Sequence, residues 1–259
     1  MPKVSVTIIT KNEEADIAAA IASVRWADEV VVVDSHSTDR TADMAAAAGA
    51  RVIVRDWPGY VAQKNFAASA ATNDWILSLD ADERVTPELA IQIGQALQQP
   101  RHAAFQMRRL NWHLGRWING TDWYPDYQVR LYDRRAAEWT GQLVHESLGV
   151  RGTTGRLSAD LEHYAYADIS DHLETINRYT TLAARQMHDA GRRASVAQLL
   201  FHAPLAFLRN YIAKGGWRMG AVGIIVSGMN AYYVFLKFAK LWQLQTPLPG
   251  GNRHRQESA

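Results

Sequence analysis

Four short runs of β-branched and aliphatic residues mark the first eighty positions: Val4 to Thr10, Glu29 to Asp34, Arg51 to Arg55 and Trp75 to Asp80. Alanine-rich stretches with helical spacing separate and follow them, at about Glu13 to Val24, Arg40 to Ala48, Tyr60 to Ala71 and Pro87 to Leu97. This alternation is the pattern of βαβ units, which build a mostly parallel sheet of the α/β, Rossmann-like class. The wholly apolar Val30 to Val33 suits a strand buried on both faces. Thr38 or Asp39 is placed to cap the second helix and Gly49 to end it. A chain of 259 residues with 47% hydrophobic content buries one substantial core and leaves room for an appendage.

From Ala104 to Gly152 the pattern shifts to short strands and loops crowded with Trp112, Trp117, Trp123, Tyr124, Tyr127, Tyr132 and Trp139, of the kind that shape binding sites. Beyond about Gly155 the chain reads as helical, with Ile169 to Asp189 followed by an apolar segment from Val196 to Leu244. We expect a catalytic domain over 1–155, a helical region over 156–245 and a disordered tail over 246–259.

Open α/β sheets bind ligands beyond the carboxyl ends of their strands, so polar residues there carry most information. Three ends qualify: Thr10-Lys11-Asn12-Glu13, Asp34-Ser35-His36-Ser37-Thr38-Asp39 and Asp80-Ala81-Asp82-Glu83. Asp80 and Asp82, one residue apart at a turn, suit a hard cation such as Mg²⁺ or Mn²⁺ that bridges a diphosphate; a solvated turn before Pro87 is the plainer alternative. Asp34 is placed to accept the N3–H of a uracil, or else to cap the next helix. Thr10, Asn12 and Glu13 either contact base and ribose or start the first helix. Lys64, in Gln63-Lys64-Asn65, is either a phosphate contact or a solvated lysine.

Together these segments resemble the family 2 glycosyltransferases of GT-A fold, over roughly the first 150 residues and through order and spacing more than any one motif. Downstream, Tyr124-Pro125-Asp126-Tyr127, Arg130-Leu131-Tyr132 and Val144-His145-Glu146 are similar to the subgroup of lipopolysaccharide-core glucosyltransferases that add β-linked glucose to the first heptose. The resemblance implies an inverting transferase with a UDP-sugar donor, Asp34 on uracil, Asp80 and Asp82 around donor and metal, and a later carboxylate as base. The Glu-Asp pair typical of many members is absent, and His145-Glu146 stands in its place. Glu146 is the expected general base, Asp126 its competitor, and ordinary loop carboxylates the bland alternative. Arg130 either contacts the diphosphate or forms a structural salt bridge, and His145 either joins metal or diphosphate or simply packs in a loop.

No Asp or Glu occurs between Ala190 and Gln256, whereas Arg192, Arg193, Arg209, Lys214, Arg218, Lys237, Lys240, Arg253 and Arg255 do. Interleaved aromatics such as Phe201, Trp217, Tyr232 and Trp242 make this a surface for an anionic leaflet. The uncharged stretch Met219 to Leu236, at ~1.5 Å per residue, covers about 27 Å, just short of a ~30 Å hydrocarbon core. An interfacial or re-entrant helix is expected over a true span, with a buried packing helix as the alternative. A lipid-linked saccharide acceptor, on the cytoplasmic face of the inner membrane, fits that design.

A net charge of +2 gives no bulk attraction for nucleic acid. The absence of cysteine excludes disulfides and thiolate metal sites. No hydrophobic leader pattern follows Met1, which points away from secretion. Two rivals stay open: a polyprenyl-phosphate glycosyltransferase, and a non-catalytic membrane-bound scaffold with the same fold.

Overall fold

A computed structural model describes residues 2–141 and 146–246. The chain divides into two compact units, one of Met1–Trp112 with Tyr124–Ala165 and another of His113–Trp123 with the chain from Tyr166 onward.

The first unit opens as the alternation requires: β1 (Val4–Thr10), α1 (Ile17–Ser23), β2 (Glu29–Asp34), α2 (Thr41–Ala47), β3 (Arg51–Val54), α3 (Tyr60–Ala70) and β4 (Trp75–Asp80). β5 (Glu83–Val85) and α4 (Pro87–Gln98) follow. Thr86 caps α4 by accepting from the Leu89 N–H, with Pro87 in its first turn, where a missing N–H costs nothing. Parallel pairing joins β3, β2, β1 and β4. Every residue of β1 is buried, as befits a central strand covered on both faces. Val6, Ile8, Leu77 and Leu79 pack with Ile17, Ile21, Leu89 and Ile93 on one side of the sheet. Val31, Val33 and Ile76 meet Ala67, Ala68 and Tyr132 on the other.

Beyond β4 the sheet becomes mixed. Its order is β3-β2-β1-β4-β8-β6-β11-β5, with β6 (Ala104–His113), β7 (Arg116–Ile118), β8 (Asp126–Asp133), β9 (Ala137–Thr140), β10 (Ser147–Val150) and β11 (Thr154–His163). β9 and β10 form a separate hairpin. The helical region does not begin at Gly155 as expected. Leu157, Ala159 and Leu161 alternate with Arg156, Ser158 and Asp160, a period of two that makes β11 a strand, parallel to β6 and antiparallel to β5.

The second unit is built on α5 (Ile169–Asp189), α6 (Val196–Leu208) and α7 (Ala221–Gln245). Asp168 caps α5, and Ser195 with Gln198 forms a reciprocal capping box on α6. The uncharged stretch belongs from Ala221 onward to a longer continuous helix, because Lys237 and Lys240 extend α7 without breaking it, while Met219 ends a short 3-10 turn before it. By length and composition alone α7 suffices to cross a membrane. Phe238 and Leu241 of α7 pack with Ala184 and Ala194, while Lys240 Nζ donates to Asn177 and Thr180 of α5. α6 instead turns Leu200, Phe201 and Leu205 outward, each about 60% exposed.

Candidate functional site

Strand register alone gathers the three polar ends. β1 sits between β2 and β4, with Thr10 opposite Asp34 and Ile9 opposite Asp80. The loops that follow are stitched together: the Asn12 N–H donates to Ser37 Oγ at 2.8 Å, Asn12 Oδ1 accepts from the Thr38 N–H at 2.8 Å, and the Glu13 N–H donates to Thr41 Oγ1 at 2.7 Å. Asn12 holds φ at 57°, a left-handed conformation that asparagine tolerates better than most residues. Asp34 is buried and accepts from both the N–H and the hydroxyl of Ser37, so it closes its own loop while retaining lone pairs for a further donor. Thr10 Oγ1, also buried, has no hydrogen-bond partner among the described residues.

The two aspartates of the Asp-Ala-Asp turn have different surroundings. Asp80 lies between two cations, with Lys64 Nζ 3.1 Å from Oδ1 and Arg130 2.6 Å from Oδ2. Lys64 is buried and set over the Trp139 ring, so the solvated alternative does not hold for it. Arg130, likewise buried, also contacts the fully buried Glu83 at 2.5 Å, which makes it a structural salt-bridge partner in this fold. Burial pushes the Asp80 carboxyl up, but Arg130 and Lys64 override that and hold it well below the usual carboxylate range.

Among the described residues Asp82 has no such cation. Its Oδ2 lies 3.1 Å from His163 Nε2, and its buried Oδ1 has no hydrogen-bond partner among the described residues. His163 Nδ1 meets Asn111 Oδ1 at 2.6 Å, which orients the imidazole. Pairing of β11 with β5 sets His163 opposite Glu83, and the Tyr164 N–H donates to the Asp82 carbonyl, so the strand absent from the expected pattern delivers this histidine. Glu13 faces the same place: burial, then the charges of Asp82, Asp16, Asp39 and Asp80, push its carboxyl up to about 7. An unpaired buried oxygen, an imidazole nitrogen and surplus negative charge fit a divalent cation of the Mg²⁺ or Mn²⁺ type. Among the described residues no group of three ligating side chains is assembled here, so the donor's own oxygens would have to complete the shell of such an ion. Asp82 and His163 would hold it, with Asp80 already committed to Lys64 and Arg130. His145, the histidine expected at a metal, lies outside the described residues.

Of the two base candidates, Glu146 is drawn toward this cluster, with Oε1 3.7 Å from Lys64 Nζ. Asp126 is engaged elsewhere. Arg109 donates to its Oδ2 from two nitrogens, at 2.8 and 2.9 Å, and Gln128 donates to its Oδ1. Besides His163, sequence reasoning missed Arg109, Asn111 and the anchoring role of Glu83, whose Oε2 accepts the Asp80 N–H. The alternation around Leu157, Ala159 and Leu161 was the available signal for the first of these.

A family model described as glycosyl transferase family 2 matches residues 5–152. An uncharacterized glycosyltransferase of Rickettsia typhi is 34% identical over 257 residues, covering 94% of this chain and 88% of that protein. The lipopolysaccharide core biosynthesis glycosyltransferase LpsC of Rhizobium meliloti is 32% identical over 253 residues, covering 92% of each. Among solved structures, glucosyl-3-phosphoglycerate synthase from Mycobacterium tuberculosis in complex with Mn²⁺, UDP-glucose and glycerol 3-phosphate aligns with a TM-score of 0.37 at 26% identity, over 42% of this chain and 44% of that one.

Proposed function

Since the chain belongs to glycosyltransferase family 2 and is a glycosyltransferase, we propose that it moves a hexosyl group, glucose from UDP-glucose, with inversion onto a hydroxyl of a membrane-linked glycan such as the lipopolysaccharide inner core. The observation that carries the donor half is the contrast within one turn, an Asp80 neutralised by Lys64 and Arg130 near an Asp82 whose buried Oδ1 lacks a partner among the described residues. Thr10, Asn12, Glu13 and Asp34 line the uridine end, where Asp34 accepts the base N3–H and the free Thr10 hydroxyl takes a second contact. Lys64 and Arg130 keep positive charge beside the diphosphate and hold Asp80 toward the donor.

A divalent cation on Asp82 and His163 would act as Lewis acid toward the departing diphosphate, an effect worth several kcal/mol. Glu146 takes the proton of the acceptor hydroxyl as that oxygen bonds to C1. The C1–O bond to phosphate breaks on the opposite face, and UDP leaves with the electron pair. Asp126, clamped by Arg109, is the poorer base.

The acceptor half rests on the second unit. Its exposed aliphatic and aromatic side chains on α6, with Arg209, Lys214 and Arg218 nearby in sequence and no acidic residue between Ala190 and Gln256, suit an anionic leaflet. A peripheral position on the cytoplasmic face of the inner membrane follows for an enzyme whose acceptor is lipid-anchored. LpsC, a relative over nearly the whole chain, supports a lipopolysaccharide acceptor.

A thermal-shift screen of nucleotide sugars with and without Mn²⁺ tests the donor, since a ligand bound only by the native state raises stability. UDP-glucose with Mn²⁺ should give the largest shift; no shift with any UDP-sugar would end the donor assignment. Glu146→Gln should lower turnover ~10²- to 10⁴-fold with the shift retained. A harmless substitution would favour a phosphate acceptor, which needs no strong base.

A further inference from the structure

The second unit contains a cavity of about 270 Å³ lined by none of the residues assigned to the transfer step. Trp123, Tyr166, His172, Tyr179, Asn230 and Tyr233 supply most of its wall. No Asp, Glu, Lys or Arg lines it, although the surrounding segment is strongly basic. The chemistry of the wall is therefore flat aromatic faces interrupted by uncharged hydrogen-bonding groups.

Two features show that this wall is built rather than incidental. The Trp123 indole is fixed by a chain of amides: its Nε1–H donates to Asn230 Oδ1 at 3.0 Å, and Asn230 Nδ2 donates to Asn210 Oδ1 at 2.8 Å. Asn210 Nδ2 in turn donates to Asp122 Oδ2 at 3.0 Å. His172, only 3% exposed, stacks on Tyr166 with ring centroids 4.2 Å apart, yet its Nδ1 has no hydrogen-bond partner among the described residues. A buried polar atom is ordinarily satisfied, so an unpartnered one on a residue that lines a cavity is a hydrogen-bonding group the fold itself does not use. Burial, and then the neighbouring His113, push the His172 imidazole down to about 4. The ring is thus neutral near pH 7 and able to donate or accept a single hydrogen bond.

We infer that this cavity is a binding site for a neutral pyranose ring. A pyranose has apolar C–H faces that lie on aromatic rings and an equatorial belt of hydroxyls that meets Asn230, His172 and the tyrosine hydroxyls. The volume, just under the ~300 Å³ at which ligand pockets usually begin, suits one ring rather than an oligosaccharide. A charged ligand finds no counter-ion on the wall. An acyl chain would leave the unpartnered Nδ1 of His172 without a hydrogen bond, at the cost of burying a polar group unpaired. A hard divalent cation is disfavoured because no carboxylate lines this wall. Assignment of the ring to the acceptor glycan rests on the transferase reading, whereas the binding itself does not.

The test uses the full chain in detergent and saturation-transfer NMR with methyl β-D-glucopyranoside and methyl β-D-galactopyranoside as probes. Ring protons of at least one probe should receive saturation in the wild type. Each of Tyr179→Ala and Tyr233→Ala should weaken binding roughly five- to tenfold, in line with the loss of one aromatic stacking partner. His172→Phe keeps the stack and the volume but removes the open nitrogen, and should weaken binding with unchanged thermal stability near pH 7. UDP-sugar hydrolysis without acceptor should be unaltered in all three variants. No saturation in the wild type, equal saturation in the variants, or displacement of the probe by a short fatty acid would overturn the inference. Absence of any Mn²⁺-dependent shift with UDP-sugars would instead strike the donor assignment and leave the pyranoside result standing.

Discussion

The two units bury titratable groups in opposite ways. In the first, burial and then the neighbouring carboxylates push Glu13 up to about 7, while buried Lys64 and Arg130 are spent on Asp80 and Glu83. In the second, the buried groups are His113 and His172, both pushed down, chiefly by burial. The first arrangement lowers its own energy by taking up positive charge. The second rejects charge and suits uncharged partners. Burial raises the cost of any ion in both units, so the sign of the remaining neighbours decides what each site attracts.

The sharpest way to break this comparison is Arg130→Met. Removing one partner of a buried ionic cluster leaves Asp80 and Glu83 uncompensated, and a loss of ~3–5 kcal/mol is expected in urea unfolding. A near-neutral result would mean that these charges are not buried as an interdependent set. Next, Asp82→Asn should cut turnover by ~10²- to 10³-fold, in keeping with several kcal/mol of Lewis-acid stabilisation, and should abolish the Mn²⁺-dependent thermal shift. His163→Phe should reproduce the loss of the metal-dependent shift. If both variants bound Mn²⁺ normally, the cation would lie elsewhere.

The smallest effects are in pH dependence, and the two units should respond with opposite sign. Glu13 has a folded value near 7 against an ordinary 4.5, so in metal-free protein it binds its proton more tightly when folded. Wild type should then be less stable than Glu13→Gln near pH 8, and that deficit should shrink as pH falls through 7 toward 4.5. His172 has a folded value near 4 against an ordinary 6.5, so the unfolded state takes the proton first. Wild type should lose stability relative to His172→Phe as pH falls from 6.5 toward 4. Urea midpoints of the three proteins across that range check both signs, and parallel slopes for the two variants would contradict the contrast.

Much of the first unit was legible before any coordinates. β1, β2 and β4 occupy the residues expected, and β3 stops one residue earlier, at Val54. Helix starts were less secure: α1 begins at Ile17 rather than Glu13, since the left-handed Asn12 and the bond from the Glu13 N–H to Thr41 keep that segment in the loop. β11 was missed because its alternation is short and precedes a long helical pattern. With it went His163, whose place beside Asp82 depends on pairing with β5 across some eighty residues of chain. The residues expected around Glu146 are only partly described, and the tail beyond Thr246 lies outside the described residues along with His145.

Hydrophobic periodicity by itself determined that the first four strands pair in parallel and that their polar ends collect at one edge, because both follow from local spacing and from the direction βαβ units impose. The tertiary structure alone decided which of the two aspartates flanking Ala81 is neutralised, which histidine stands beside the other, and that a tryptophan from residues 113–123 joins tyrosines of α5 and α7 around a cavity. Those outcomes depend on contacts between residues far apart in the chain, whose distances no local pattern encodes.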